Sequence, residues 1–209
     1  MSMPFVIYTC TACNFRGAEH VVWGRFHYRT SKGEINLERQ LGWCDDCGTL
    51  APIEQLPTRE RLAANRALID EYKLRLTELR ESEKSGRPLW MRLLGFKRLS
   101  PDRLKLREGL REVEENQIEL RRRANTLSER RAGPRCLICS SESVRTVPQP
   151  SMPSEYESVD LYEVIPVDMQ HPGCTGQLMA CNSEFRLNMR LLKRIYDPEG
   201  RLLDTLDCD

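Results

Sequence analysis

Four pairs of metal-binding residue types constrain this chain of 209 residues more than any other feature of its sequence. The pairs are Cys10 and Cys13, Cys44 and Cys47, Cys136 and Cys139, and His171 and Cys174. In each pair two residues separate the ligands, so one turn of the chain offers two of the four nitrogen or sulfur ligands that a tetrahedral Zn²⁺ requires. Recurring C-x-x-C pairs favour metal binding over disulfides in a reducing compartment, and the nine cysteines cannot all pair with one another. The sequence therefore predicts two zinc sites.

Pairing the four turns into two sites is a separate prediction. Residues 1–56 read as a strand-rich module whose strand tips bring its two C-x-x-C turns together. We therefore predict a first site in residues 1–56 and a second in residues 134–209. The first site consists of Cys10, Cys13, Cys44 and Cys47, and the second of Cys136, Cys139, His171 and Cys174. Cys181 competes with His171 as the fourth ligand of the second site.

The motifs Y-T-C-T-A-C (8–13) and W-C-D-D-C-G (43–48) resemble those of zinc-ribbon domains. The resemblance covers about the first 55 residues, and the Cys₃His set near the C-terminus resembles a zinc ribbon more weakly. It implies structural zinc held by four protein ligands, and it implies no particular activity. A rubredoxin-like iron site has the same ligand geometry, so iron is the minor alternative at the first site.

The middle of the chain predicts two long helices, because apolar residues recur at spacings of three and four from Leu62 to Leu79 and again from Leu106 to Leu127. Ser100 and Pro101 are typical of a helix start, and Gly133 stops the second pattern. We predict an antiparallel coiled-coil hairpin over residues 57–133, with Leu62 facing Leu127, Ile69 facing Leu120 and Leu79 facing Leu110. The predicted fold class is α+β, with two small β-rich zinc-ribbon-like modules, 1–56 and 134–209, on either side of this hairpin.

The tip of the hairpin, residues 84–99, mixes large apolar side chains with arginine and lysine, a composition common in protein interfaces. Its predicted partner-binding residues are Trp90, Met91, Arg92, Leu94, Phe96 and Lys97. The alternative is a short helix that folds back onto the seam and caps the hairpin. The tip is also too short to predict stable membrane association.

Charge is divided unevenly along the chain. Residues 57–132 carry 20 Lys and Arg against 13 Asp and Glu, a net charge of +7, whereas the rest carries −6. A basic middle allows nucleic-acid binding, with possible contacts from Arg121, Arg122, Arg123, Arg130 and Arg131. The alternative is a solvated helix face, because glutamates are interleaved with these arginines.

The function predicted from these features is that of a non-enzymatic, zinc-stabilised adaptor or subunit of a larger complex. No phosphate-binding loop, nucleophile elbow or dinucleotide-binding motif occurs in the sequence. The alternative is a nucleic-acid-binding regulator. A hairpin with a zinc knuckle is also similar to RNA-polymerase secondary-channel regulators, but their tips are acidic and this one is basic.

We further expect a cytoplasmic protein, since no signal peptide or long apolar run is present, and a homodimer through the hairpin remains open.

Overall fold

The computed structural model describes residues 2–3, 5–85, 100–149, 164–184, 186–188 and 191–207. The chain forms two compact units. One, the β unit, combines residues 1–56 with residues 129–209, and the other, the helical unit, consists of residues 57–128. The predicted hairpin tip lies almost wholly outside the described residues.

The helical unit contains helices α1 (Arg59–Ser85) and α2 (Pro101–Thr126). The predicted start of α2 is confirmed, because the Ser100 hydroxyl accepts a hydrogen bond from the Arg103 N–H and Pro101 begins the helix. The two helices run antiparallel, since Asn65 near the start of α1 contacts Gln117 near the end of α2, and Glu83 contacts Arg103. Neither described helix has the length and apolarity needed to cross a bilayer.

The predicted register of the two helices is wrong by about one heptad. The Asn65 side-chain amide donates to Gln117 Oε1 at 2.7 Å and to the Val113 carbonyl at 3.1 Å, and Tyr72 packs against Gly109. In this register the side-chain amides of Asn65 and Gln117 form a hydrogen bond with each other. In the predicted register Asn65 would instead lie opposite apolar residues of α2. Because an unpaired buried amide costs more free energy than a shifted apolar contact, the polar pair sets the alignment.

The β unit contains thirteen strands in its described residues. They are β1 (Ser2–Met3), β2 (Val6–Cys10), β3 (Arg16–Ala18), β4 (Arg25–Thr30), β5 (Gly33–Asn36), β6 (Arg39–Cys44), β7 (Thr49–Glu54), β8 (Val144–Thr146), β9 (Ile165–Gln170), β10 (Gln177–Asn182), β11 (Leu187–Asn188), β12 (Leu192–Tyr196) and β13 (Leu202–Asp207). Strands β12 and β13 form a hairpin around residues 197–200, and residues 19–22 form a 3₁₀ turn before β4. The fold is thus mixed α+β.

Every sheet combines strands from both ends of the chain. The strand orders are β3-β2-β10-β9, β13-β12-β4-β5 and β7-β6-β8, and β1 pairs with β11. Most neighbours are antiparallel, but β4 and β12 are parallel. The expectation of two separate terminal modules is therefore replaced by one interleaved unit, because the backbone hydrogen bonds of β2, β4 and β6 are completed by strands from residues 129–209.

A buried charged group links the two segments within this unit. Glu54 is fully buried, and its carboxylate accepts hydrogen bonds from the Tyr28 hydroxyl at 2.8 Å, from the Arg130 guanidinium at 2.9 and 2.5 Å and from the Arg135 N–H at 2.9 Å. Arg130 also donates to the carbonyls of Gly133 and Pro198. Since a buried carboxylate requires such partners, this network fixes the start of the C-terminal segment against β7.

Candidate metal centres

The eight predicted ligands form two clusters, but the turns pair differently from the prediction. The Cys₃His cluster consists of Cys10, Cys13, His171 and Cys174, and the Cys₄ cluster consists of Cys44, Cys47, Cys136 and Cys139. The ligand atoms of each cluster lie within 4.8 Å of one another. Each cluster thus takes one turn from residues 1–56 and one from residues 129–209, and the predicted grouping of both N-terminal turns into one site is wrong.

Strand pairing explains the Cys₃His cluster. Cys10 is the last residue of β2, and it lies opposite Leu178 near the start of β10. The Thr11 N–H donates to the Gln177 carbonyl at 3.1 Å, so the turn after β2 meets the turn that connects β9 to β10. His171 and Cys174 occupy that second turn. Cys181 lies further along β10, opposite Ile7, and belongs to neither cluster.

The Cys₄ cluster forms in the same way at another sheet. Cys44 ends β6 opposite Val144 of β8, and the turn from β6 to β7 carries Cys47. Cys136 forms a bridge with Ile53 of β7, where the Leu137 N–H donates to the Pro52 carbonyl at 2.9 Å. The turn carrying Cys136 and Cys139 is therefore held against the β6–β7 hairpin rather than against His171.

The distances between ligand atoms fit a tetrahedral metal. Bonds of about 2.3 Å to sulfur and 2.0 Å to nitrogen give tetrahedron edges of about 3.8 Å between sulfurs and about 3.5 Å between sulfur and nitrogen. The Sγ atoms of Cys10 and Cys174 are 3.4 Å apart, and His171 Nδ1 lies 3.4 Å from the sulfurs of both Cys13 and Cys174. In the Cys₄ cluster the Cys44–Cys139 and Cys47–Cys136 separations are 3.5 and 3.9 Å. A disulfide needs about 2.05 Å, so these residues fit a metal ion better than a covalent bond.

Backbone N–H groups in the turns point at the sulfurs. Cys10, Cys136 and Cys174 accept hydrogen bonds from the N–H groups two residues further on, at 3.4, 3.4 and 3.2 Å. Burial raises the pKa of the Cys136 thiol to about 11, and it also raises the pKa of Cys47. A bound divalent cation opposes this effect because it stabilises the thiolates, and the N–H donors do the same.

Two aromatic rings orient the imidazole of His171. Phe15 stacks on it with ring centroids 4.6 Å apart, and Trp43 meets it at an interplanar angle of 84° and 4.9 Å. His171 is 8 % exposed, and these rings hold Nδ1 toward the two thiols. The sequence analysis missed this role, although Phe15 lies two residues after Cys13 and Trp43 directly precedes another ligand.

Gly176 allows the two turns of the Cys₃His cluster to meet. A Cβ atom at this position would overlap Cys10 Sγ and would lie 2.8 Å from the Ala12 nitrogen. A residue with a side chain would therefore push the turns apart. Gly176 is a requirement of the site although it supplies no ligand.

The other predicted site residues have different outcomes. The partner-binding residues of the tip, Trp90, Met91, Arg92, Leu94, Phe96 and Lys97, lie outside the described residues.

Among the five candidate phosphate contacts, Arg121, Arg122 and Arg131 are exposed, and Arg122 pairs with Glu119 at 3.6 Å. Arg123 is 2 % exposed, and the Arg130 side chain is buried against Glu54. Those two arginines are therefore not placed to contact phosphates, because both are buried.

Comparison with known protein families, with curated proteins and with solved structures finds no match to this chain. The resemblance to zinc ribbons therefore rests on the two turn motifs and on the two ligand clusters.

Proposed function

We propose that this chain is a non-enzymatic zinc protein that serves as an adaptor or subunit of a larger cytoplasmic complex. The observation that carries the proposal is the presence of two complete ligand sets, each joining the N-terminal to the C-terminal segment of the β unit. Metal binding at both would clamp the segments between which the helical unit is inserted. We further propose that the helices form the predicted coiled-coil hairpin and that its tip binds a protein partner.

Zinc is the metal that the donor sets support best. One set contains four thiolates and the other contains three thiolates and an imidazole, and both are established structural zinc ligations. Each set can fill all four positions of a tetrahedron. A catalytic zinc keeps one position for water, so complete sets support a structural role.

The helical unit supports a binding role through the segment that joins its helices. Residues 86–99 contain four Lys and Arg and no Asp or Glu, so this segment accounts for more than half of the net charge of +7 found in residues 57–132. It also contains Trp90 and Phe96, which are typical anchors of protein interfaces. An acidic protein surface with an apolar pocket is the partner that this composition fits.

Nucleic acid is the less favoured partner, because two of the five candidate arginines are buried and the helices 59–85 and 101–126 carry nearly balanced charge. A phosphate-binding surface would require a denser array of exposed cations.

Affinity purification from the native cell, with nuclease treatment, tests the partner. We compare the wild-type chain with Trp90→Ala/Phe96→Ala and with the control Leu74→Ala, which removes an apolar side chain that is 59 % exposed on α1. We expect a protein that binds the wild type and the control and is lost from the double variant. Identical partners for all three chains, or recovery of nucleic acid only without nuclease, would contradict the adaptor proposal.

A further inference from the structure

The two clusters differ in how far their thiols are accessible to solvent. In the Cys₃His cluster Cys13 is exposed, and Cys10 and Cys174 are half-buried. In the Cys₄ cluster Cys44 and Cys136 are both 0 % exposed and pack together around Ala51. A small oxidant in solution can therefore reach all three thiols of the first cluster but only part of the second.

The closest pairs of sulfurs differ in the same way. Cys10 and Cys174 lie 3.4 Å apart, and both sulfurs belong to half-buried residues. In the Cys₄ cluster the pairs Cys44–Cys139 and Cys47–Cys136, at 3.5 and 3.9 Å, each contain one fully buried partner. The two accessible thiols of that cluster, Cys47 and Cys139, also lie within 4.8 Å of each other, but its other two ligands, Cys44 and Cys136, are fully buried. Forming a disulfide requires the sulfurs to approach to about 2.05 Å. Buried sulfurs held in a close-packed core resist that movement more than sulfurs in turns at the surface.

We infer that the Cys₃His cluster is a redox-sensitive metal site in which a hydroperoxide joins Cys10 to Cys174 and the metal is released, while the Cys₄ cluster keeps its metal. The inference rests on the metal binding proposed above. One thiolate attacks the peroxide oxygen and becomes a sulfenic acid, and the second thiolate displaces hydroxide from that sulfur. With hydrogen peroxide, two thiolates, one peroxide and two protons give one disulfide and two waters, so the peroxide takes the two electrons that the sulfurs lose.

Release follows from the ligand count. After Cys10 and Cys174 are joined, Cys13 and His171 alone remain to hold the metal. Two ligands do not complete a structural zinc site. The new bond links the same two turns that the metal linked, so the pairing of β2 with β10 is kept. Oxidation would then change the occupancy of one site without unfolding the β unit.

The first test uses the full chain loaded with Zn²⁺ and treated with hydrogen peroxide. A chromogenic chelator measures released zinc, and peptide mass spectrometry locates disulfides. We expect one zinc per chain to be released at least tenfold faster than the other, together with a Cys10–Cys174 disulfide. Release of both metals at one rate, or a first disulfide within the Cys₄ cluster, would overturn the inference. A chain that binds no stoichiometric zinc would instead refute the metal sites themselves.

Two single-ligand variants separate the clusters. Cys139→Ser disables the Cys₄ cluster, so its one remaining zinc should be released by peroxide. Cys13→Ser disables the Cys₃His cluster, so its remaining zinc should resist the same treatment. The matched control is Cys181→Ser, which removes a half-buried thiol outside both clusters and should leave the release of one zinc unchanged. The opposite order of sensitivity in the two single-ligand variants would contradict the inference.

Discussion

Replacing Arg130 with methionine should destabilise the β unit more than any other change to a single ion pair described above. Glu54 is fully buried and accepts four hydrogen bonds, two of them from Arg130. In Arg130→Met the carboxylate keeps only the Tyr28 hydroxyl and the Arg135 N–H. Leaving a buried charge without its partner costs roughly 3–5 kcal/mol. Tyr28→Phe removes one bond to the same carboxylate and should cost less, about 1.5–3 kcal/mol.

Urea unfolding of the zinc-loaded protein, followed by tryptophan fluorescence, measures these costs, since Trp43 is 3 % exposed in the β unit. With a slope of about 2 kcal/mol per molar urea, Arg130→Met should lower the midpoint by roughly 2 M. The control is Arg29→Met, whose guanidinium lies 3.9 Å from Glu34 and is half-exposed, so about 0–1 kcal/mol is expected. The double variant Glu54→Gln/Arg130→Met should recover part of the loss, because no buried charge remains. Equal midpoints for Arg130→Met and the control would refute the reasoning.

Three further predictions follow from other parts of the molecule. Gly176→Ala should lower bound zinc from two per chain to one, measured by elemental analysis, whereas Gly133→Ala, whose added Cβ meets no atom within 4 Å, should keep two. Stability should fall as pH rises from about 10 to 12. Burial raises the pKa of Tyr8 to about 12, so the folded chain binds this proton more tightly than the unfolded chain, and the contribution is complete below pH 10. Burial also raises the pKa values of Tyr28 and Tyr196, so Tyr8→Phe should make the pH profile of the urea midpoint less steep without levelling it. Asn65→Ala should lower the thermal midpoint of the helical circular dichroism signal by removing about 1–3 kcal/mol, whereas Asn65→Leu/Gln117→Leu should restore it; an unchanged midpoint in the single variant would contradict the assigned register.

The ligands of both clusters could be predicted from the sequence because residue type and local spacing carry their chemistry. Their pairing could not, because similar lengths of chain separate Cys13 from Cys44 and Cys139 from His171, so spacing alone fits either arrangement. A usable signal was present in the helices. The two antiparallel helices have 27 and 26 residues, so the residue before α1 and the residue after α2 lie at the same end of the hairpin. This brings the turn after β6 close to Cys136.

The start of α2 and the turn between β12 and β13 were predictable for a similar reason. Ser100 with Pro101 and the residues 197–200 specify local backbone geometry directly. The register of α1 against α2 could not be predicted in this way, because a shift of one heptad still places apolar residues opposite apolar residues along the seam. The hydrogen bonds from Asn65 to Gln117 and to the Val113 carbonyl, together with the packing of Tyr72 against Gly109, distinguish the shifts once the helices are placed together.

The pairing of turns across the chain is the central claim, and a two-dimensional ¹¹³Cd–¹H correlation spectrum of the cadmium-substituted protein tests it most directly. Each metal resonance correlates with the β protons of the cysteines bound to it, so the spectrum reports which ligands share an ion. We expect one resonance that correlates with Cys44, Cys47, Cys136 and Cys139, and a second that correlates with Cys10, Cys13 and Cys174 and with the ring of His171. A single resonance that correlates with Cys10, Cys13, Cys44 and Cys47 would contradict the account.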